Sequence, residues 1–254
     1  MKSFKVDNLN VKVFSSRKEM GDVSAKDIAE EFKRLLSEKA EINVIFAAAP
    51  SQNDVLASLA KDKSIEWGRI NAYHMDEYVG LSADAPQGFG NFLKDKIFGK
   101  VPFKSVNYIN PSATDAEKEA ERYGALIEKN RPDVVIMGIG ENGHIAFNDP
   151  PVADFNDEKV AKVVKLDEVC RNQQVHDGCF KDISLVPKYA ITLTVPTLAS
   201  APCQFCIVPA PTKAQAVYNT LNGKIGKEVP ATVLRTAKNA TLYLDGDSAS
   251  LLKL

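Results

Sequence analysis

Two rhythms of apolar and polar residues take turns along this chain. Val11 to Phe14 is a short apolar stretch that reads as a strand. Ala25, Ile28, Ala29, Phe32, Leu35 and Leu36 then recur at three- and four-residue spacing, which predicts an amphipathic helix. Ile42 to Ala49 reads as an apolar strand. It is followed by the polar run Ser51-Gln52-Asn53-Asp54, whose residue types cap helices, and by a second helix marked by Val55, Leu56 and Leu59. Further strands are expected over Arg69–His74, Val106–Ile109 and Val134–Met137. A short helix is expected over Phe92–Phe98, and a charged one begins at Thr114 with Ala120, Tyr123, Leu126 and Ile127 inward. Beyond Pro150-Pro151, Lys159–Leu166 alternates as a half-exposed strand does. Asp167–His176 reads as a helix, Ala190–Val195 and Cys203–Val208 as strands, Thr212–Leu221 as a helix and Ala240–Leu244 as a final strand. Strands alternating with helices predict an α/β fold: a mostly parallel sheet with helices on both faces. No repeat, low-complexity run or composition shift marks a linker, so a single domain over residues 1–254 is expected.

Composition mainly excludes. The 254 residues carry 32 Lys+Arg against 33 Asp+Glu, a net charge of −1, with the basic residues spread along the chain. That argues against nucleic acid or a membrane surface as the main partner. No apolar run spans a bilayer, and Met1-Lys2-Ser3-Phe4-Lys5 lacks the apolar centre of a signal peptide. Four cysteines in a chain of this length point to a reducing compartment, and a cytoplasmic location is expected. Cys203 and Cys206 make a CxxC, but inside a strand-like run, so all four cysteines read as small core residues rather than a redox pair or zinc ligands.

The candidate chemistry centres on Gly138-Ile-Gly-Glu-Asn-Gly-His144-Ile-Ala-Phe-Asn148-Asp149-Pro150, which follows the Val134–Met137 strand. Glycines let the backbone turn sharply and approach a ligand, and ligands in open α/β sheets sit at the carboxyl ends of strands. The GxGxxG spacing is a weak sign of dinucleotide binding here, because the loop lies past mid-chain and Pro150-Pro151 would break the helix such a motif needs. His144, flanked by an amide and a carboxylate in a polar turn, is a better proton shuttle than a core histidine. Asp76 and Glu77 follow the Arg69–His74 strand; spacing alone favours a turn role for them, while a cleft-facing carboxylate there could be a general base. His74, two residues earlier, should share the face of Asp76 if alternation persists. The helix start at Ser51-Gln52-Asn53 could hold an anion, with Lys213 reaching the same group.

Two segments taken together resemble the glucosamine-6-phosphate deaminase/isomerase family: Met75-Asp-Glu-Tyr-Val-Gly-Leu81, and Gly138-x-Gly-x-x-Gly-His-Ile-Ala-Phe-Asn-x-Pro150. Val186-Pro-Lys-Tyr-Ala-Ile-Thr-Leu-Thr194 and the helix start at Lys213 are similar too, in the same order over nearly the whole chain. The resemblance implies a Rossmann-like three-layer α/β/α sandwich. It also implies conversion of glucosamine 6-phosphate or galactosamine 6-phosphate to the ketose 6-phosphate and ammonia, without metal or other cofactor. By the same resemblance Asp76 takes the proton from C2 and His144 opens the sugar ring, with Asn142 and Asp149 tuning the imidazole. Ser51, Gln52, Asn53 and Lys213 hold the phosphate of the small-molecule substrate; a homo-oligomer is possible. Relatives that hydrolyse 6-phosphogluconolactone differ in the motif after Gly-His. Asn142 stands where the family usually has aspartate, and Asp149 where it has glutamate, one methylene longer, so Asp149 is expected to reach through water. The loop Ala48-Ala49-Pro50-Ser51-Gln52-Asn53 stands where typical members have Leu-Pro-Thr-Gly-Gly-Thr, whose glycines let backbone amides wrap the phosphate. A phosphate-holding arginine of the family falls at Gln174, with Arg171 one turn away.

Overall fold

The computed structural model describes residues 1–253. Its eleven strands form two sheets. The large sheet has eight strands in the order β1 (Lys2–Val6), β2 (Leu9–Val13), β11 (Ala240–Leu244), β10 (Cys203–Val208), β7 (Val134–Met137), β3 (Ile42–Phe46), β4 (Ile70–His74) and β6 (Ser105–Asn107). Only the β1–β2 pair is antiparallel; the other six neighbouring pairs run parallel. The centre of the sheet is apolar on both faces, as a sheet covered on both sides must be. Val44, Phe46, Val134, Ile136, Phe205 and Ile207 point into one core. It is closed by α1 (Arg17–Glu38), α2 (Asn53–Lys61) and the short α3 (Phe89–Leu93), which continues as one π-helical turn over Lys94–Phe98. Ile45, Val135, Met137, Cys206 and Val208 point into the other, closed by α4 (Ala116–Lys129), the short α6 (Val195–Ala199) and α7 (Ala214–Asn222). The expected three-layer α/β/α arrangement is therefore present. No helix among the described residues is long and apolar enough to cross a membrane.

Local chemistry sets most boundaries. Ser16 caps α1 by accepting the Glu19 N–H, and Asp115 caps α4 by accepting that of Lys118. The expected capping at Ser51-Gln52-Asn53 is not found: Pro50–Gln52 forms a 3-10 turn, and α2 starts with no side-chain cap. Gln52 is instead turned inward, where its amide donates to Ser51 Oγ at 3.0 Å and to the Ile207 carbonyl at 3.1 Å.

The second sheet was not foreseen. It has three antiparallel strands in the order β5 (Asp76–Tyr78), β9 (Tyr189–Leu193), β8 (Ala161–Lys165). The chain leaves the large sheet at His74, passes Met75 and enters the small sheet at Asp76. That change of sheet breaks the alternation, so His74 does not share the face of Asp76. Its ring is wholly buried: Nδ1 donates to the Asp76 carbonyl at 2.9 Å, and Nε2 accepts the Ile109 N–H at 2.9 Å. Burial pushes its pKa down to about 4, partly opposed by the bond to the Asp76 carbonyl, so the ring is a neutral brace.

Between β3 and β7 the connections leave in opposite directions: β3 leads outward through β4 and β6, β7 outward through β10 and β11. This is the topological switch point where open α/β sheets leave a crevice. The loops after β3 and β7 both enter it.

Tyr123, buried on α4, clamps the edge of that crevice. Its hydroxyl accepts the His74 N–H at 3.0 Å and donates to the His74 carbonyl at 2.8 Å. Tyr123→Phe should leave two buried backbone groups unpaired, at about 1–3 kcal/mol each. The expected result is a melting temperature lower by about 2–4 °C per kcal/mol, read by thermal unfolding.

Candidate active site

The loops at the switch point surround a cavity of about 410 Å³, lined by residues from Arg17 to Lys213. Asp76 and His144 both line it, so the carboxylate and the imidazole do open on one crevice.

His144 sits on a turn that only glycine permits. Gly143 has φ +83°, and a Cβ there would come 2.7 Å from Val229. Gly140 lies under the imidazole: a Cβ on it would be 2.1 Å from His144 Cε1. Ala146, also on the cavity wall, holds φ +48°, a strained conformation for a residue with a Cβ. The turn is held by Asn148, whose side-chain amide donates to the Ile145 and Leu193 carbonyls. Asn148 is wholly buried and does not line the cavity.

The imidazole is gripped from behind. His144 Nδ1 lies 2.7 Å from Asn142 Oδ1 and 2.9 Å from Asp149 Oδ1. Two acceptors at one ring nitrogen require that nitrogen to carry the proton, which leaves Nε2 as the working atom. Asn142 Nδ2 in turn donates to Asp149 Oδ1 at 3.0 Å. The expectation that Asp149 reaches the ring through water is corrected: it makes direct contact, because the Asn142 side chain binds both partners and draws the three groups together. Burial pushes the Asp149 carboxyl up, but the His144 ring and hydrogen bonds from His144, Asn142 and the Asp167 amide bring it below its ordinary value. The Cys170 sulfur lies beside this pair, within 4.8 Å of both. His144, Asp149 and Cys170 offer nitrogen, oxygen and sulfur donors, but the imidazole–carboxylate pair is already satisfied by protons, and burial holds the Cys170 thiol protonated.

Asp76 is in the opposite electrostatic situation. Burial, and then the neighbouring Glu77 carboxyl, raise it well above the ordinary carboxylate range. Glu77 itself accepts the N–H groups of Tyr78, Phe89 and Gly90, so it anchors the start of α3 and faces away from the chemistry.

Ser51 and Lys213 line the same cavity. Lys213 is only 5% exposed, and burial lowers its pKa against the opposing pull of Asp177 and Glu141. Gln52 and Asn53 do not line the cavity; Gln52 is buried beneath Gly138. The remaining wall comes from α5 (Glu168–His176) and the turn after it, through Gln173, Gln174, Asp177 and Cys179. Gln174 Oε1 accepts the Tyr78 hydroxyl at 2.7 Å, and Gln173 Oε1 accepts the Glu141 N–H at 2.8 Å. Arg171 points elsewhere: its guanidinium donates to the Ile183 and Val186 carbonyls and lines a separate cavity. Arg17, Gln173, Asp177 and Thr212 had no signature in the sequence, since each is an ordinary polar residue on its own helix or turn.

The family model of glucosamine-6-phosphate isomerases and 6-phosphogluconolactonase matches residues 15–243. A glucosamine-6-phosphate deaminase of Bacillus cereus (strain G9842) is 32% identical over 243 residues, 96% of this chain and 89% of that one. One from Exiguobacterium sp. is 35% identical over 190 residues, 75% of this chain and 73% of that one. Among solved structures, a monomeric glucosamine-6-phosphate deaminase superposes with TM-score 0.86 at 28% identity, covering 95% of this chain and 99% of that one. A 6-phosphogluconolactonase of Thermotoga maritima reaches TM-score 0.75 at 20% identity over 93% and 99% of the two chains, a likeness of fold alone.

The grip on His144 is open to measurement. Nitrogen NMR of the ring should show the Nδ1–H tautomer in the free protein. Gly140→Ala should displace the ring, abolish that signature and lower the melting temperature, since the added Cβ would lie 2.1–2.4 Å from three ring atoms that Asn142 and Asp149 hold in place.

Proposed function

Since the chain belongs to the glucosamine-6-phosphate isomerase/6-phosphogluconolactonase family, we propose that it is an amino-sugar-phosphate deaminase. It would convert glucosamine 6-phosphate or galactosamine 6-phosphate to the ketose 6-phosphate and ammonia. The observation that carries this reading is the shared cavity of Asp76 and His144, with a buried lysine in its lining.

The roles follow from the electrostatics. His144 Nε2 takes the proton from the sugar O1 hydroxyl; the C1–O5 bond breaks and the proton is delivered to O5, opening the ring. The imidazolium formed in passing is stabilised by Asp149, which is held ionised at hydrogen-bond distance. The Asp76 carboxylate then removes the C2 proton as the aldehyde O1 takes a proton from solvent, giving the 1-enol; Asp76 returns its proton to C1 while the ammonium nitrogen gives one up to solvent. The C2 iminium that results adds water and loses ammonia. Asp76 must be ionised for this, and its burial opposes ionisation. A 2-ammonium group on the substrate supplies the missing positive charge, which favours an amino sugar over its hydroxy analogue. Ser51 and Lys213 hold the phosphate.

Lactone hydrolysis needs His144 but no carbon base, so exchange distinguishes the two. In deuterated water the substrate should acquire deuterium through C2 exchange, with ammonia and ketose 6-phosphate released. Wild-type protein that turns over neither amino sugar phosphate overturns the reading.

Two further outcomes are expected. The acid limb of the kcat/KM profile should lie above the ordinary carboxylate range near 4, since activity appears only as pH rises through the raised pKa of Asp76. Asp76→Asn should abolish exchange and raise the melting temperature near neutral pH. The sign follows from linkage: the native Asp76 binds its proton more tightly than the unfolded chain does, so its contribution turns unfavourable as pH rises past the unfolded pKa. An amide removes that cost.

A further inference from the structure

Lys213 has no hydrogen-bond or ion-pair partner among the described residues although it is 5% exposed, and it lines the cavity. The charges that bear on it are acidic: Asp177, which lines the same cavity, and Glu141. A phosphate monoester carries about −1.5 to −2 at neutral pH. One ammonium facing a carboxylate does not balance it.

Arg17, at the first position of α1, lines the same cavity beside the Ser51 loop, where it reaches the Pro50 carbonyl. Its guanidinium is fixed along one edge. Nε donates to Asp54 Oδ2 and Nη2 to the Pro50 carbonyl, each at 2.6 Å. Nη1 has no protein partner among the described residues. Next to Pro50 on the same wall, Ser51 Oγ accepts from Gln52 Nε2, which leaves its own proton free to donate. This corner is thus built of donors, and its arginine is pre-aligned, the arrangement that suits a tetrahedral oxyanion.

We propose that Arg17 is the second cation of the anion subsite, closing with Ser51 and Lys213 on the phosphate of the substrate, and that Asp54 is the positioning residue that aims it. This rests on the phosphosugar reading above. Arg17 thereby sets the requirement for a phosphorylated sugar, while the rest of the cavity reads the hexose.

The test compares wild type with Arg17→Gln, Arg17→Lys and Asp54→Asn. Arg17→Gln should raise KM for the 6-phosphate substrate about 10–100-fold, the worth of a lost charge-assisted hydrogen bond, with kcat within about threefold. Arg17→Lys should recover part of that loss, and Asp54→Asn should show a smaller rise. Inorganic phosphate should raise the melting temperature of wild type, and at the same concentration should raise that of Arg17→Gln much less. The ratio of kcat/KM for the phosphorylated over the dephosphorylated amino sugar should fall about 10–100-fold in Arg17→Gln, which a merely structural lesion would not produce. An unchanged KM, or an equal loss on the dephosphorylated sugar, overturns the assignment, as does a phosphate-induced shift undiminished in Arg17→Gln. Should wild type turn over no amino sugar phosphate, the deaminase reading fails, while the phosphate shift still decides whether Arg17 binds the anion.

Discussion

A carboxyl group on the wall of the cavity is folded into a place where charge is costly. Asp76 is buried on the cavity wall beside a second carboxyl, and both effects favour its protonated form. The surroundings hold it there by spending other bonds. Glu77 is tied to the backbone amides of Phe89 and Gly90 at the start of α3 and to that of Tyr78. The His74 ring donates to the Asp76 carbonyl, and Tyr123 clamps both backbone groups of His74. Strain and desolvation of this kind cluster at functional sites, where the rest of the fold offsets them.

The opposing group shows the converse logic. A longer acid at 149 paired with an acid at 142 would present two carboxylates to one imidazole. Here the amide of Asn142 donates to Asp149 and accepts from His144, so one negative charge serves the ring at direct contact. The shorter side chain and the neutral one compensate each other, and neither departure from the family pattern stands alone.

The large sheet and its helices were legible because burial on one or two faces imposes periods of 2.0 and 3.6 residues. Val134–Met137, Cys203–Val208 and Ala240–Leu244 have the limits read from the sequence. The three-residue strand Asp76–Tyr78 was not legible, because its pairing with β9 joins residues far apart in the chain. That is also why the orientation of His74 was misjudged: alternation holds within a strand and not across a change of sheet. The motif residues Asp76 and His144 do line one cavity. Arg17 and α5 complete that cavity by tertiary placement alone, and Gln52 became a buried strut once its amide found the Ile207 carbonyl.

The small sheet does more than carry Asp76. Thr192 lies opposite Asp76 across the β5–β9 pair, and its hydroxyl accepts the N–H of Phe147, three residues after His144. One threonine therefore ties the strand of Asp76 to the loop of His144. The wall supplied by Gln173 and Gln174 on α5 is fastened to both: Gln174 accepts the Tyr78 hydroxyl, two residues after Asp76, and Gln173 accepts the Glu141 N–H, three residues before His144. A change of residue on that wall is therefore felt in the strand of Asp76 and in the loop of His144, so the surface that would meet a ligand and the spacing of those two groups do not vary independently.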